Sequence, residues 1–170
     1  QSNVVYNSVN DNISFELNEA DYNTISVNGS YDEKGASVLI DGIDYSDDII
    51  IDSSDVDTSR VGVYHVSYTY ASNMNQVKTI YRTINVVDTE APTITLLGSN
   101  VYTMLVNDDY IEEGIVVSDN SNEDLLENVV INNNIDVTTP GVYTVLYTVS
   151  DSSGNSSGVS RTVVVKYNYA

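Results

Sequence analysis

The sequence predicts an all-β protein made of two tandem antiparallel β-sandwiches, and three observations carry this prediction. Apolar and aromatic residues alternate with polar ones along 141–150, so every second side chain lies on one buried face of a strand. A polar turn and a β-branched run at 159–165 follow, which completes a hairpin. The same pattern starts 79 positions earlier at Gly62, since 141 minus 62 is 79. No window keeps a helical period over three turns, so we expect helices to be scarce.

A tandem repeat organises the chain. The offset of 79 residues, with no gap, pairs residues of the same type in the two halves: Leu17 with Leu96, Val27 with Val106, Tyr31 with Tyr110, Glu33 with Glu112, Gly35 with Gly114, Asp57 with Asp136 and Arg82 with Arg161. A period this long corresponds to a whole small domain, because shorter repeats do not each close a core. We therefore predict a first domain at 1–88 and a second at 89–170. The lead at 1–9 is either a remnant of a preceding domain's last strand or a loose terminus.

The same plan of short strands is predicted in both units. In the first unit we expect strands at 13–17, 24–27, 35–40, 49–51, 62–70 and 77–87. In the second unit we expect strands at 93–97, 101–106, 114–118, 128–131, 141–150 and 159–165. The one helical candidate, 123–128, makes a single turn at most. Pro92 fixes an extended start to the second unit, which predicts a semi-rigid joint.

Composition excludes several classes of function. The chain of 170 residues has 25 acidic and 6 basic side chains, a formal net charge of −19 and no cysteine. Nucleic acids and anionic membranes require Lys and Arg, so neither is an expected partner. No stretch approaches the ~20 apolar residues needed for membrane insertion. The acidic surface either keeps an extracellular protein soluble or accommodates divalent cations.

Four stretches carry a resemblance to a known family. Residues 88–94, 110–114, 117–120 and 139–155 resemble the bacterial Ig-like and HYR-like surface repeat domains. The resemblance is weaker in the first unit, where Ile40 stands at the position of Asp119. It implies that the predicted sandwiches are immunoglobulin-like, extracellular, and used as a spacer or adhesive stalk. It implies no catalysis.

A candidate calcium site follows from the fold. In an Ig-like sandwich the approach to the first strand and the B–C and F–G loops lie at the same pole. In the second unit these segments carry Asp88, Glu90, Asp119, Asn120, Asp124, Asp151 and Asn155. Calcium takes 6–8 oxygen ligands of this type, and Glu33 and Asp57 of the first unit are further candidates. The alternative is that Asp119 and Asp151 accept hydrogen bonds in their own turns.

Other singled-out residues are assigned structural roles. Tyr64 and Tyr143 fit tyrosine corners, whose hydroxyl returns to the backbone. Arg82 and Arg161 are expected to pair with Asp57 and Asp136. His65 is expected to be solvated.

No constellation of catalytic side chains is found. The chain lacks cysteine and a serine in a strand-to-helix elbow, and adjacent acidic residues on a strand point to opposite faces. The sequence thus predicts a non-enzymatic structural or adhesive segment of an exported surface, filament or virion protein, acting as a spacer or assembly module. Its partners would be neighbouring Ig-like domains or copies of itself. The alternative function is binding of a glycan or surface receptor by loops at one pole.

Overall fold

The computed structural model describes residues 12–72, 77–121 and 123–168. The chain divides into two compact units, 1–87 and 88–170, so the boundary lies one residue before the predicted one. Each unit has its own hydrophobic core. The predicted lead at 1–9 lies outside the described residues.

The first unit contains two sheets. Its strands are β1 (Ile13–Leu17), β2 (Tyr22–Ser26), β3 (Ala36–Ile40), β4 (Ile43–Asp44), β5 (Ile50–Asp52), β6 (Gly62–Ala71) and β7 (Val77–Val87). One sheet has the order β1-β3-β4 and the other β2-β7-β6-β5. All pairings are antiparallel except that of β2 with β7.

The second unit repeats this arrangement. Its strands are β8 (Thr93–Leu96), β9 (Val101–Leu105), β10 (Ile115–Ser118), β11 (Val130–Asn133), β12 (Gly141–Ser150) and β13 (Ser156–Lys166). β8 pairs with β10, and the larger sheet has the order β11-β12-β13-β9. Here β9 runs parallel to β13. The all-β fold with two sandwiches is confirmed, with one parallel pairing in each unit that the antiparallel prediction did not include.

The alternation seen in the sequence determines which side chains form the cores. On β12 the side chains of Val145, Tyr147 and Val149 are buried, and the residues between them face outward or are half-buried. β6 repeats this pattern with Val66, Tyr68 and Tyr70. Burying one face of each strand is the driving force that closes each sandwich.

The register of the two units is the same over most strands. Leu17 lies opposite Ala36, and 79 residues later Leu96 lies opposite Ile115. The prediction of an uninterrupted offset is wrong in one segment, because Ile51 lies opposite Tyr68 whereas Ile131 lies opposite Tyr147. The offset there is 80, since 131 minus 51 is 80. The loop after β10, which carries acidic side chains, is therefore one residue longer than the corresponding segment of the first unit.

Helical structure in the described residues is limited to two short 3₁₀ turns. They are formed by Ser46–Asp48 and Leu126–Asn128, and the second falls within the predicted 123–128. None of the helices in the described ranges is long and apolar enough to cross a membrane.

Candidate functional site

Three carboxylates converge at one pole of the second unit. Asp88 lies before β8, Asp119 follows β10, and Asp151 follows β12. Because β8 and β10 pair antiparallel, with Thr93 opposite Ser118, the start of β8 and the end of β10 lie at the same edge. One carboxylate oxygen from each residue lies within 4.8 Å of the other two. The predicted meeting of these loops is therefore observed for the carboxylates of three of the seven predicted residues of this pole, and a fourth, Asn155, contacts two of these three residues.

Each carboxylate is held in place by its own turn. Asp88 Oδ1 accepts the Glu90 N–H at 3.0 Å. Asp119 Oδ2 accepts the Ser121 N–H at 2.9 Å and the hydroxyl of the same serine. Asp151 Oδ1 accepts the Asn155 N–H at 2.8 Å. The predicted alternative, in which Asp119 and Asp151 accept turn hydrogen bonds, is thus confirmed for one oxygen of each.

The side-chain amide of Asn155 connects two members of the cluster. Its Nδ2 donates to Asp151 Oδ2 at 2.8 Å and to the main-chain oxygen of Asp88 at 3.3 Å. Both bonds fix the segment before β8 against the loop after β12. Asn155 therefore links the Asp151 carboxylate to the main chain of Asp88.

Two oxygens of the cluster have no hydrogen-bond partner. Within the described residues, Asp88 Oδ2 and Asp119 Oδ1 are buried and accept no hydrogen bond. Asp88 and Asp151 are each 7% exposed, and Asp119 is half-buried. Buried carboxylate oxygens without a donor carry an uncompensated desolvation cost. The turns therefore do not satisfy the whole acidic cluster.

The charge of the cluster is not balanced by basic side chains. In the parts of the chain that the structure describes, ion pairs join Lys34 to Asp32 and Arg161 to Glu112 and Glu113, and none involves the three aspartates. Two like unit charges 4.8 Å apart repel by about 3.5 kcal/mol at an effective dielectric constant of about 20.

Asp151 is ionised at neutral pH. Burial opposes the charged form of its carboxyl, but hydrogen bonds from the side chain and backbone of Asn155 and from nearby backbone amides hold its pKa below the usual range.

Two other predicted ligands of the second unit, Glu90 and Asp124, do not belong to the group of three converging carboxylates. Glu90 and Asp124 are exposed, and Asp124 Oδ1 accepts the Leu126 N–H at 3.3 Å. Asn120 is half-buried in the loop beside Asp119. Glu123, which the sequence did not single out, accepts the Ser152 N–H at 3.2 Å and the hydroxyl of Ser152. This contact joins the loops that carry Asp119 and Asp151.

Glu33 and Asp57, the further candidates in the first unit, are engaged within that unit. Glu33 Oε1 accepts the Tyr68 hydroxyl at 2.5 Å and the Gly35 N–H at 2.7 Å, and its Oε2 accepts the Tyr31 hydroxyl at 2.8 Å. Asp57 Oδ1 accepts the N–H and hydroxyl of Ser59 at 3.0 and 2.6 Å. Both carboxylates therefore stabilise local structure.

The equivalent arginines of the two units are fully buried. Arg161 donates to the main-chain oxygens of Ser99, Leu97 and Gly114, and its Nη1 lies 2.7 Å from Glu113 Oε2. Nη2 lies 3.6 Å from Glu112 Oε1. The guanidinium thus ties the segment after β8 to the segment before β10.

Arg82 makes the matching contacts in the first unit. It donates to the main-chain oxygens of Ala20, Asn18 and Gly35, and its Nε donates to the Tyr68 hydroxyl at 3.0 Å. The predicted pairing of Arg82 and Arg161 with Asp57 and Asp136 is wrong. Asp57 and Asp136 instead accept bonds from Ser59 and Thr138 in their own turns.

Glu112 is the acceptor at the centre of a tyrosine pair in the second unit. Burial opposes its ionisation, but the Tyr147 hydroxyl, the Gly114 N–H, the Tyr110 hydroxyl and the charge of Arg161 hold its pKa below the usual range. Burial and hydrogen bonding raise the pKa of Tyr110 and Tyr147. Gly114 adopts a φ of 92°, which brings its N–H to Glu112 Oε1 at 2.9 Å.

The tyrosine corners are confirmed. The Tyr64 hydroxyl donates to the Arg60 oxygen at 3.0 Å, and the Tyr143 hydroxyl donates to the Thr139 oxygen at 2.8 Å. His65 is exposed, as expected for a solvated strand position.

A separate apolar pocket occurs in the first unit. It has a volume of about 440 Å³ and is lined by Ile13, Phe15, Tyr70, Ser72, Val77 and Lys78. Ser72 is the residue at the offset of 79 from Asp151. The pole that is acidic in the second unit is therefore largely apolar in the first.

Three solved structures are similar to parts of the chain. A lipoprotein from Bacteroides thetaiotaomicron is 30% identical over 46% of this chain and 39% of its own, with a TM-score of 0.42. The M60 catalytic domain of Clostridium perfringens ZmpB with its CBM51-1 and CBM51-2 domains is 13% identical over 93% of this chain and 31% of its own, with a TM-score of 0.42. Drosophila N-cadherin EC1-4 is 13% identical over 92% of this chain and 51% of its own, with a TM-score of 0.33.

The comparison with known families covers both units of the chain. None of the curated proteins compared with the chain matches it. The family described as "Bacterial surface protein, Ig-like domain" matches residues 15–86 and again residues 94–165, one match in each unit. The predicted resemblance is thereby confirmed, and the chain belongs to the bacterial surface protein Ig-like domain family as a tandem pair of its domains.

Proposed function

We propose that this tandem pair is a non-catalytic structural spacer within an exported bacterial surface protein. Membership of a family of bacterial surface proteins supports the exported or surface location. The chain spans 39% of the lipoprotein to which it is similar, so the activity of any longer protein that carries it is a separate question.

The observation that carries the proposal is the relative direction of the second strand and the last strand of each unit. β2 near the start of the first unit runs parallel to β7 at its end, and β9 runs parallel to β13 in the second unit. Because these two strands run parallel, the start of the earlier strand and the end of the last strand lie at opposite ends of the sheet. The chain therefore passes through each unit from one pole to the other, as a spacer requires.

The same pairing makes each unit resist extension. The Val27 N–H donates to the Val87 oxygen at 2.8 Å, and the Val106 N–H donates to the Lys166 oxygen at 2.9 Å. A force applied at the two ends of a unit acts along these strands, so several ladder hydrogen bonds must break together. The internal contacts of Arg82 and Arg161 with main-chain oxygens add to this rigidity.

The alternative, binding of a glycan or receptor through loops, has less support. The described ring contacts are Tyr45 with Tyr70, tilted by 53°, and Tyr102 with Tyr110, edge-on at 80°. Neither is a pair of coplanar, exposed rings on which a sugar could stack. Adhesion and assembly into a filament or virion stay predictions.

The spacer proposal is tested by stretching the full chain between handles at its two ends. We expect two unfolding events, each releasing about 260–280 Å of contour length from about 79 residues, less the folded length. Val106→Pro removes a donor of the β9–β13 ladder and should lower the unfolding force of the second unit. The first unit is the internal standard. Gradual extension without two events, or an unchanged force in V106P, would contradict the proposal.

A further inference from the structure

We propose that Asp88, Asp119 and Asp151 bind a calcium ion in the second unit. Two independent observations support this site. Three carboxylate oxygens, one from each residue, lie within 4.8 Å of one another. Asp88 is 93% buried, as its 7% exposure implies, and its Oδ2 has no hydrogen-bond partner among the described residues. Asp119 Oδ1 is also a buried atom without a hydrogen-bond partner in this part of the chain.

A bound cation contacts the carboxylate oxygens that have no hydrogen-bond donor at this pole and balances their negative charge. The turns use one oxygen each of Asp88 and Asp119, and the other oxygen stays buried without a donor. No ion pair to a basic residue reaches the cluster in the described ranges. Carboxylates that are buried and close together favour a bound cation, since a cation is attracted to all of them at once.

The donor set favours calcium over other metals. All three donors are carboxylate oxygens, whereas zinc sites are typically built from cysteine and histidine. The sequence has no cysteine, and the single histidine, His65, lies on β6 of the first unit. Magnesium requires a compact octahedron near 2.0–2.1 Å and retains most of its waters. Calcium accepts irregular sets of oxygen ligands, so main-chain oxygens or water would complete its 6–8 ligands.

The duplication within the chain provides an internal comparison. Arg161, Glu112, Tyr110 and Tyr147 have the same residue types at the offset of 79 in the first unit, namely Arg82, Glu33, Tyr31 and Tyr68. The three aspartates are all different there: Val9, Ile40 and Ser72 stand at the positions of Asp88, Asp119 and Asp151. The first unit folds into the same sandwich without them. The acidic cluster is therefore not needed for this fold, since none of its three residues recurs in the first unit.

The experiment is a calcium titration of the full chain after treatment with a chelator. Isothermal titration calorimetry with calcium chloride should show one ion per chain. Extracellular calcium modules bind in the range of about 10⁻⁴–10⁻³ M, and we expect an affinity of this order. Calorimetric unfolding should show one transition that rises with calcium concentration and one that does not, because a ligand that binds the folded form raises its stability.

Variants that copy the first unit make the test specific. Asp119→Ile with Asp151→Ser places the residues of the first unit at these positions and should weaken binding by more than about 100-fold. In chelator the same variant should still unfold in two transitions, because the first unit forms its sandwich with Ile40 and Ser72 at these positions. Glu127→Gln removes an exposed charge from the same loop and should bind as the parent does.

Three results would contradict the proposed calcium site. Absence of binding heat and of any thermal shift at about 10 mM calcium would do so. Equal responses to calcium and magnesium would refute the choice of calcium, and a retained response in the D119I/D151S variant would refute the residues. Each result is independent of the stretching experiment, so the spacer proposal and the calcium site can fail separately.

Discussion

Replacement of Arg161 by Met gives the most direct test of what stabilises each unit. Arg161 is fully buried and lies 2.7 Å from Glu113, with further bonds to three main-chain oxygens. Removing one partner of a buried ion pair costs about 3–5 kcal/mol, because the other partner loses its compensation. Glu112 and Glu113 are 35% and 32% exposed, so water screens part of the charge left behind. We therefore expect a loss near the lower bound, about 3 kcal/mol.

This loss is large for a unit of this size. A domain of about 80 residues has a free energy of unfolding of about 4–12 kcal/mol. For such a domain, 1 kcal/mol corresponds to about 4–8 °C in Tm, so the transition of the second unit should fall by about 12–24 °C. The assay is differential scanning calorimetry of the full chain, in which the transition of the first unit serves as a reference.

Matched variants separate the role of the guanidinium from that of its charge. Arg161→Lys keeps the charge but lacks the planar fork that reaches several acceptors, so it should recover less than half of the loss. Arg60→Met, at an exposed position, should leave both transitions unchanged. A fall of less than about 4 °C in R161M, or an equal fall in both transitions, would refute the reasoning.

Three further predictions concern titration and the tyrosine corner. The pKa of Glu112 is held below its unfolded value, so its contribution to stability is present above about pH 4.3 and is lost as pH falls; Glu112→Gln should flatten the acid limb of the second transition in calorimetry. The pKa of Tyr147 is raised, so its contribution is present below about pH 10 and is lost at higher pH; tyrosinate absorbance should show a fraction of the 14 tyrosines that ionises only on unfolding. Tyr143→Phe removes the bond to the Thr139 oxygen and should lower the second transition by less than R161M does. An unchanged acid limb would contradict the Glu112 prediction. Ionisation of all tyrosines in a single step would contradict the Tyr147 prediction, and an unchanged second transition would contradict the Tyr143 prediction.

The strands that could be predicted are those whose side chains alternate. β6 and β12 bury every second residue, so their sequences show period 2 directly. β4 is a strand of two exposed residues, Ile43–Asp44, and leaves no pattern to detect. The parallel pairings of β2 and β9 depend on where the first strand crosses to the other sheet. No local property of the sequence records that crossing.

The arginine partners show a limit of reasoning from repeats. The offset of 79 pairs Asp57 with Asp136 as well as it pairs Glu33 with Glu112. Recurrence therefore identifies residues with a shared role but does not say which of them meet. The turn conformation decides this, because Asp57 bonds to Ser59 two residues later and so stays at the surface.

The candidate site was predictable to the level of its loops. General knowledge of the sandwich places the segment before β8 and the loops after β10 and β12 together, which predicts Asp88, Asp119 and Asp151. It does not distinguish them from Glu90 and Asp124 on the same segments. Their orientation depends on single turns, such as the one in which Glu90 donates its N–H to Asp88.

Comparison of the two units distinguishes residues that recur in both sandwiches from residues that occur in only one. In both units a buried arginine donates to three equivalent main-chain oxygens, and a glutamate accepts the hydroxyls of two equivalent tyrosines, so we infer that the sandwich depends on them. The acidic cluster is confined to one unit although it places buried carboxylates within 4.8 Å of one another. Our proposal of a bound calcium ion accounts for this arrangement, because the first unit forms its sandwich without these aspartates. The first unit therefore predicts how the second should behave once its aspartates are replaced, namely as a stable sandwich that no longer responds to calcium.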